Sequence, residues 1–374
     1  MRILFTRQFP LDFPGGETSH LFAVASQMQK MDIEVHLMPV TNHPTPGGLW
    51  PPELVHEIRP FGLRLTLDSF SLSRAVAAFT KETQIDAVLS WQYETAYLPE
   101  FLPRRDFILG VVAAAPFGLL KREADSRLRR RIAYHFFHFR MLRNADVIYC
   151  PSEFAKKELV NTLGIDSEKI VVTYLCADDI FRPSLESKIG PLRNFIFSGS
   201  LEPIKGVFDA IQALGIVKRR GYCDWVLKIA GWGNMNKIRE AARKNGIEDH
   251  IRFLGQIKHP ALAHELARAD LAILPSHTEN FGLSIAEAEA CGLPIVSYRV
   301  GGIPEEVEDG STALLVDLFD ISQLADAIIQ LINDPQKARE MGHLGSRFIR
   351  ENFSWCRTVE IMLANIRSLR SKKQ

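Results

Sequence analysis

Short apolar runs alternate with helical patterns along nearly the whole chain. The helical pattern places apolar side chains three, four and seven residues apart, as at Leu21, Val24, Ala25 and Met28. The runs between these stretches have the length and the flanking residues of buried strands. Strands that alternate with helices form parallel sheets covered on both faces, so the pattern predicts an α/β protein. The predicted strands are residues 3–6, 34–38, 87–90, 107–112, 147–150, 195–199, 226–230, 251–254, 271–274, 295–298 and 313–316.

This alternation occurs in two series, which are separated by residues 181–193. That segment is rich in proline, glycine, serine and charge and shows no periodicity, as is typical of a linker. A chain of 374 residues also suits two domains. We therefore predict two doubly wound domains, 1–182 and 192–353, with residues 354–374 packing back on the first as a helix. Ligands of such domains bind beyond the carboxyl ends of the strands, which predicts a site in a cleft between the domains.

Composition narrows the class of protein. Hydrophobic residues make up 46% of the chain and charged residues 24%, as in ordinary globular proteins. The net charge of +1 gives no general attraction for nucleic acid. Five scattered cysteines without metal-binding spacing indicate a reducing compartment and no structural zinc. No apolar run approaches a membrane span, and the first residues resemble a strand more than a signal peptide, so we expect a cytoplasmic protein.

The segment 276–292 carries the most specific chemistry. An apolar strand precedes it and an alanine-rich helical stretch ends it, with Glu279 and Glu287 on either side of Gly282. Free N–H groups at a helix start attract phosphate, and a carboxylate at each end of the turn would hold sugar hydroxyls. The segment thus suggests a site for a sugar diphosphate. Ser284 and Glu287 also have capping-box spacing, so a structural role for Glu287 is the alternative.

Three glycine-bearing turns follow predicted strands, at residues 13–17, 199–206 and 231–233. Each by itself is also an ordinary tight connection. Lys205 distinguishes the second turn, because a cation just before a helix N-terminus opposes the helix dipole. A bound phosphate would remove that conflict.

Taken in order, these segments resemble the retaining glycosyltransferases of the GT4 family, which have the GT-B fold. Glu279 and Glu287 match the paired glutamates of the family, and residues 199–206 resemble its G-R-L-x-x-x-K-G loop. Residues 15–17 with His20 resemble its GGxE loop. The resemblance implies two Rossmann-like domains, with the acceptor bound by the first and the nucleotide sugar by the second. It implies transfer of the sugar to an acceptor hydroxyl with retention, without a metal or another cofactor.

Roles for single residues follow from the same resemblance. Glu287 would hold the ribose and Lys205 the diphosphate, while Glu279 would bind the donor sugar; Glu279 and Lys205 are the catalytic candidates. His20 is a further candidate, with a packing role as its alternative. We expect His277 to be a loop residue and His259 to lie on the surface. The implied donor-binding residues are Gly15, Gly16, Ser200, Lys205, Gly231, Glu279, Asn280, Phe281, Gly282, Leu283 and Glu287.

The chain also departs from the family pattern. Ser200 stands where the family has arginine, Asn280 stands where proline is common, and residues 111–117 contain no ionisable side chain where a histidine is usual. A catalytically weak or inert nucleotide-sugar-binding paralogue is therefore one alternative. A nucleotide-sugar 2-epimerase is another, although it would need several ionisable groups. UDP is the first expectation for the nucleotide, with GDP and ADP as alternatives.

Residues 119–143 carry many arginines and lysines interleaved with aromatic residues. Such a helix binds an anionic membrane surface, which would suit a lipid-linked acceptor on the inner face of a membrane. An exposed, charged helix with one packed aromatic face is the alternative. We expect a carbohydrate or lipid-linked acceptor, and a role in polysaccharide, glycolipid or glycoconjugate synthesis.

Overall fold

The chain is described by a computed structural model that covers residues 1–7, 16–39, 52–58, 64–91, 95–113, 139–185 and 189–373. It divides into two compact units. The first unit comprises Met1–Leu175 with Trp355–Gln374, and the second comprises Cys176–Ser354. Each unit contains a six-stranded sheet in which all neighbouring strands are parallel, flanked by helices. The predicted α/β class with two doubly wound sheets is confirmed.

The sheet of the first unit has the order β2-β1-β3-β4-β5-β6. Central strands such as β3 are buried along their whole length, because helices cover both faces. The sequence analysis missed β6, a strand of three residues that pairs only with β5. The strands are β1 Arg2–Arg7, β2 Glu34–Pro39, β3 Ala87–Trp91, β4 Ile108–Val112, β5 Val147–Cys150 and β6 Ile170–Val172. The helices are α1 Gly16–Lys30, α2 Arg64–Glu82, α3 Leu98–Phe101, α4 Arg140–Asn144, α5 Glu153–Leu163 and, at the chain end, α13 Trp355–Lys373.

Helix α13 completes the core of the first unit. Val359, Met362 and Ile366 are buried together with residues of α1 and of the sheet. The hydroxyl of Tyr149 on β5 donates to Asn365 Oδ1 at 3.1 Å. Lys373 Nζ lies 2.9 Å from Asp146 Oδ2. The last residues therefore belong to the first unit, because their apolar stripe covers a face of its sheet.

The sheet of the second unit has the order β12-β11-β10-β7-β8-β9. Its central strands β10 and β7 are apolar and buried, as expected for a sheet covered on both faces. The strands are β7 Asn194–Ser198, β8 Val226–Ala230, β9 Ile251–Gly255, β10 Leu271–Ile273, β11 Ile295–Tyr298 and β12 Ala313–Val316. The helices are α6 Val207–Arg219, α7 Met235–Lys244, α8 His259–Arg268, α9 Leu283–Ala290, α10 Ile303–Glu306, α11 Ile321–Asn333 and α12 Pro335–Asn352.

The second unit begins at Cys176, ahead of the boundary predicted near residues 181–193. Arg350 on α12 explains the difference, because its guanidinium donates to the carbonyl oxygens of Phe181 at 3.1 Å and Ala290 at 2.9 Å. Phe181 is itself buried. A proline-rich composition predicted a linker, but the side chain of Phe181 and these hydrogen bonds attach its start to the second unit.

The basic and aromatic segment 119–143 lies mainly outside the described residues, since the structure describes only 139–143 of it. Across the part of the chain that the structure describes, no helix has both the length and the apolar character needed to span a bilayer.

Candidate functional site

The predicted site loops of the second unit meet at the carboxyl edge of its sheet. Gly199 N–H donates to Ala230 O at 3.0 Å, and a Cβ on Gly231 would lie 1.8 Å from Gly199 O. A Cβ on Gly206 would lie 1.8 Å from Pro275 O, at the end of β10. The loops after β7, β8 and β10 therefore pack backbone against backbone, which only glycine permits at these points.

Lys205 and Glu279 form an ion pair at this edge. Lys205 ends a 3₁₀ turn just before α6, and Glu279 follows β10; Lys205 Nζ lies 2.6 Å from Glu279 Oε1. The Glu279 side chain is 10% exposed and the Lys205 side chain 35% exposed. The pair thus combines a carboxylate shielded from water with an ammonium that a ligand can reach. The two main catalytic candidates are brought together.

The backbone of the Glu279 turn is fixed by the segment 301–306. Gly302 N–H donates to Glu279 O at 2.9 Å, and a Cβ on Gly301 would collide with that oxygen at 1.9 Å. In return, Gly282 N–H donates to Glu306 Oε1 at 2.6 Å. The turn is therefore held at both ends by one neighbouring segment.

The bond to Glu306 changes the expectation for Gly282. The resemblance implies that Gly282 binds the donor, but in this structure the Gly282 N–H already has a carboxyl partner. Burial raises the pKa of Glu306 well above its usual range; the Gly282 N–H lowers it, and the nearby Glu279 and Glu289 carboxyls raise it further. A protonated Glu306 can still accept the Gly282 bond through one oxygen.

Glu287 does not form the capping box that its spacing suggested. Helix α9 begins at Leu283 with Gly282 as its N-cap, so Ser284 is already inside the helix. Glu287 is then two residues too far along α9 to reach the N-cap backbone. The capping alternative was therefore wrong, because the turn after Glu279 enters the helix two residues earlier than the Ser-x-x-Glu pattern implies.

Glu287 lies instead in a small cluster of ionisable groups. Removal from water raises its pKa to about 7, His259 lowers it, and Asp178 raises it. His259 begins α8, and its Nδ1 lies 3.7 Å from Asp178 Oδ2. His259, which we expected on the surface, has a side chain that is 40% exposed, and its ring lies against Asp178 and Phe181.

His277 is a bridging residue and not a simple loop residue. The His277 ring Nε2 lies 2.9 Å from Asp209 Oδ2 in the first turn of α6. The backbone N–H of His277 donates to the backbone oxygen of Ile204 at 2.8 Å. The Tyr298 hydroxyl donates to the same carboxylate oxygen at 2.9 Å. These bonds fasten the loop that carries Glu279 to the loop that carries Lys205.

His20 lies in the core of the first unit. Its ring stacks on Trp355 at 5.5 Å and meets Trp91 edge-on at 5.7 Å. Burial, with a smaller contribution from Arg7, lowers its pKa to about 3, so the imidazole is neutral near pH 7. This position favours the packing alternative.

The remaining candidate residues are placed as follows. Gly15 lies outside the described residues, and Gly16 is the first residue of α1. Ser200 follows Gly199 and is partly exposed, as is Leu283 at the start of α9. Asn280 and Phe281 are buried, and the Phe281 ring packs on Phe353 at 5.6 Å. Within the described ranges, no group of three or more His, Cys, Asp or Glu is arranged to hold a metal ion.

Sequence reasoning missed Asp178, Asp209 and Glu306 as members of the site. Asp209 bonds both His277 and Tyr298, which lie on different elements, and no local spacing connects the three residues. A rule that searched for carboxylates near predicted helix starts would find Asp209 and Glu306, but not their partners.

These features define a class of protein with two α/β units, each built on a sheet of parallel strands. One unit carries a Lys–Glu pair and closely packed glycine loops at the carboxyl edge of its sheet. Residues 14–179 match the family model for Glycosyltransferase Family 4, and residues 186–347 match the model for Glycosyl transferases group 1. The chain belongs to the GT4 family of glycosyltransferases, which have the GT-B fold.

Curated relatives include a named glycosyltransferase and a glycogen synthase. The chain is 34% identical over 222 residues to a D-inositol 3-phosphate glycosyltransferase of Paenarthrobacter aurescens, which covers 56% of this chain and 54% of the relative. It is 32% identical over 229 residues to a glycogen synthase of Mycobacterium tuberculosis, with 60% and 55% covered. The match spans about half the length of these relatives.

Solved structures share the fold over the full length. A sucrose-phosphate synthase from Thermosynechococcus elongatus superimposes with a TM-score of 0.83 at 19% identity, covering 100% of both chains. Anabaena HepE, solved in complex with UDP-glucose, gives a TM-score of 0.79 at 20% identity, covering 98% of this chain and 100% of that one. At such identities the similarity establishes the GT-B fold.

Proposed function

We propose that the protein transfers a sugar from a nucleotide-diphosphate sugar, with UDP as the nucleotide, to an acceptor hydroxyl with retention of configuration. The observation that carries the proposal is the Lys205–Glu279 pair, at 2.6 Å, beside the glycine loops. Family membership supports glycosyl transfer, and the name of Anabaena HepE with UDP-glucose supports UDP. A hexose is the sugar class that the names of the relatives suggest.

Each donor group has a complementary partner in this proposal. Lys205 binds the diphosphate, because an ammonium before a helix start attracts phosphate oxygens. Glu279 accepts hydrogen bonds from the hydroxyls of the donor sugar, and its pairing with Lys205 keeps both side chains oriented before the donor arrives. Glu287 accepts from the ribose hydroxyls on the far side of the same turn. Charge-assisted hydrogen bonds of this kind are roughly twice as strong as neutral ones.

The reaction that suits these groups is a front-face displacement. As the bond from the anomeric carbon to the phosphate oxygen breaks, negative charge grows on the diphosphate, where Lys205 and the start of α6 stabilise it. The departing phosphate oxygen takes the proton of the acceptor hydroxyl, which attacks the same face of the sugar. No protein base and no metal is then required, which suits a chain whose residues 111–117 contain no ionisable side chain.

The acceptor is a carbohydrate or lipid-linked hydroxyl, and the product belongs to polysaccharide, glycolipid or glycoconjugate synthesis in the cytoplasm. This part of the proposal rests on the range of names among relatives and solved neighbours, which include lipopolysaccharide galactosyltransferase WaaB and glycogen synthase. Contact of residues 119–143 with an anionic membrane surface is proposed on sequence alone. Co-sedimentation with liposomes tests it: equal binding to neutral and anionic vesicles would contradict it.

Donor binding is the first test. A thermal-shift series with UDP-, GDP- and ADP-sugars identifies the nucleotide, because a ligand that binds only the folded state raises the melting temperature by mass action. Lys205→Ala should then weaken the best donor by tenfold or more and weaken the bare nucleoside far less. Lys228→Ala is the matched control, since Lys228 and Glu265 form a similar pair at 2.7 Å in the same unit.

Turnover is the second test. The wild type should release or transfer the sugar from the donor. NMR should show that the product keeps the anomeric configuration, α or β, of the donor. Glu279→Gln should lower the rate strongly. Equal losses in Glu279→Gln and Glu265→Gln would contradict the proposal. Tight donor binding without turnover on any acceptor would instead indicate an inert paralogue, and inversion at C2 of the donor sugar would indicate an epimerase.

A further inference from the structure

Phe319 has a strained backbone that its own burial does not explain. It lies between β12 and α11 with a φ of +66°, in the left-handed region that a bulky side chain rarely adopts. The residue is 61% exposed, so its ring gains little from removal from water. Strain of this kind persists where the surrounding structure imposes it, and it concentrates at functional sites. The reason for a phenylalanine here must therefore lie in what its ring contacts.

The turn that carries Phe319 is held by hydrogen bonds on both sides. Asp320 N–H donates to Asp317 O at 3.1 Å, and Ile321 N–H donates to Phe319 O at 3.0 Å. The Asp320 carboxylate caps α11 by accepting from Gln323 N–H at 2.9 Å. These bonds fix the direction in which the ring leaves the turn.

The ring of Phe319 packs against His277. The two ring centroids are 4.7 Å apart, and the ring planes meet edge-to-face at 74°. The Tyr298 ring lies 6.2 Å from the His277 ring and 6.4 Å from the Phe319 ring, within the range in which aromatic pairs stabilise one another. Contacts from two elements thus restrict rotation of the His277 side chain, whose Nε2 lies 2.9 Å from Asp209 Oδ2.

His277 is attached to the Lys205 loop at two points. Its backbone N–H donates to the oxygen of Ile204, the residue before Lys205, and its ring bonds Asp209 at the start of α6. Glu279 follows His277 closely in the same loop, and its Oε1 lies 2.6 Å from Lys205 Nζ. A change in the orientation of the His277 ring would therefore move one partner of the Lys–Glu pair relative to the other.

We propose that Phe319 is a positioning residue for binding of the donor. Its strained backbone places the ring against His277, and His277 holds Glu279 at the correct distance from Lys205. The inference rests on the proposed role of the Lys205–Glu279 pair in binding the sugar and diphosphate. Groups that bind a substrate must be held within about 0.5 Å of their productive geometry by side chains that packing locks in place. The stability lost in the strained turn is offset by a more precise site.

Replacement of Phe319 by glycine tests the inference, because it removes both the strain and the ring. Glycine adopts the left-handed conformation freely, so Phe319→Gly should melt at or above the temperature of the wild type. In calorimetric titration it should nevertheless bind UDP-glucose, or the better donor found by the thermal-shift series, about threefold to tenfold more weakly, as expected when one hydrogen-bonded connection is weakened. Its affinity for the bare nucleoside should be unchanged. Phe319→Tyr, which keeps the ring, should retain the wild-type affinity for the donor.

Asp32→Gly is the matched control. Asp32 has a φ of +58° and is exposed in the first unit, whereas the Lys–Glu pair belongs to the second. Glycine relieves the same kind of strain there, so the variant should not melt below the wild type and should keep the wild-type affinity for the donor.

A double variant tests whether Phe319 acts through His277. Phe319→Gly combined with His277→Ala should bind the donor no more weakly than His277→Ala alone, since the two side chains act through one contact.

The outcomes separate this inference from the proposed function. Wild-type donor affinity in Phe319→Gly would overturn the inference. An equal loss of affinity for the nucleoside, a melting temperature clearly below that of the wild type, or additive effects in the double variant would also overturn it, because each would show a general structural role. Failure of the wild type to bind UDP-glucose or any other nucleotide sugar would instead refute the proposed function itself.

Discussion

Gly206 offers a sharp test of how the site is built. It connects Lys205 to α6 with a backbone φ of +74°, and a Cβ there would lie 1.8 Å from Pro275 O. Gly246, in the same unit, has a φ of +71° with nothing near its Cβ position. The two alanine variants therefore share the cost of a left-handed conformation, about 1–2 kcal/mol, and differ only in the collision.

The collision sets the expected difference. A Cβ needs about 3 Å from a carbonyl oxygen, so in Gly206→Ala the Lys205 loop must move more than 1 Å from the end of β10. Overpacking of this kind costs about 1–3 kcal/mol. The two costs together amount to about 3 kcal/mol for Gly206→Ala, so the melting temperature of its second unit should fall by roughly 6–12 °C. The melting temperature of Gly246→Ala should fall by roughly a third to a half as much.

The displacement should also separate Lys205 from Glu279. Donor affinity, measured by calorimetry at a temperature where both variants are folded, should drop at least tenfold in Gly206→Ala, while Gly246→Ala should keep the wild-type affinity. Equal melting temperatures for the two variants would refute the packing argument. A destabilised Gly206→Ala with unchanged donor affinity would refute the link between this glycine and the site.

Three further variants test the buried polar groups. In urea unfolding, Glu306→Gln should have the same free energy of unfolding as the wild type at pH 5 and a larger one at pH 9. The reason is that the raised pKa of Glu306 makes its ionisation oppose folding as pH rises. The same pH dependence in both proteins would contradict this. His20→Phe should make acid unfolding begin at lower pH. At pH 4.5 its free energy of unfolding should exceed that of the wild type by about 2–3 kcal/mol, since His20 must stay neutral in the fold down to pH about 3. Tyr298→Phe should cost about 1–2 kcal/mol by thermal unfolding through loss of the Asp209 bond, and no loss would mean that water replaces the hydroxyl.

The fold was predictable because its strands are buried on both faces. Strands such as β5, β8, β11 and β12 begin and end at the predicted residues, since an uninterrupted apolar run has sharp limits. Strand β6 was missed because three residues at a sheet edge carry too little pattern. The start of the second unit at Cys176 was missed for another reason: composition suggested a linker, and only the Phe181 side chain and Arg350 show where that segment packs.

The site was predictable only where its chemistry lies within one turn of chain. Lys205, Glu279 and Glu287 stand beside glycines in a recognisable order, and the structure pairs the first two. The capping box at Ser284 failed, because a spacing pattern does not state which residue is the first of the helix. The pairing of His259 with Asp178 was missed, since nothing near His259 in sequence pairs with it.

The sequence by itself determined the α/β class, the glycosyltransferase family and the turn that carries the paired glutamates. These depend on short-range patterns: apolar periodicity, glycine before a helix, and carboxylates at a fixed spacing. The tertiary structure decided which groups act on that turn. Asp178, His259 and Glu306 come from elements distant in sequence. Glu306 occupies the Gly282 N–H, and burial is the main cause of the raised pKa of Glu287. Electrostatics and hydrogen bonding depend on distance in space, which the linear order of residues does not contain.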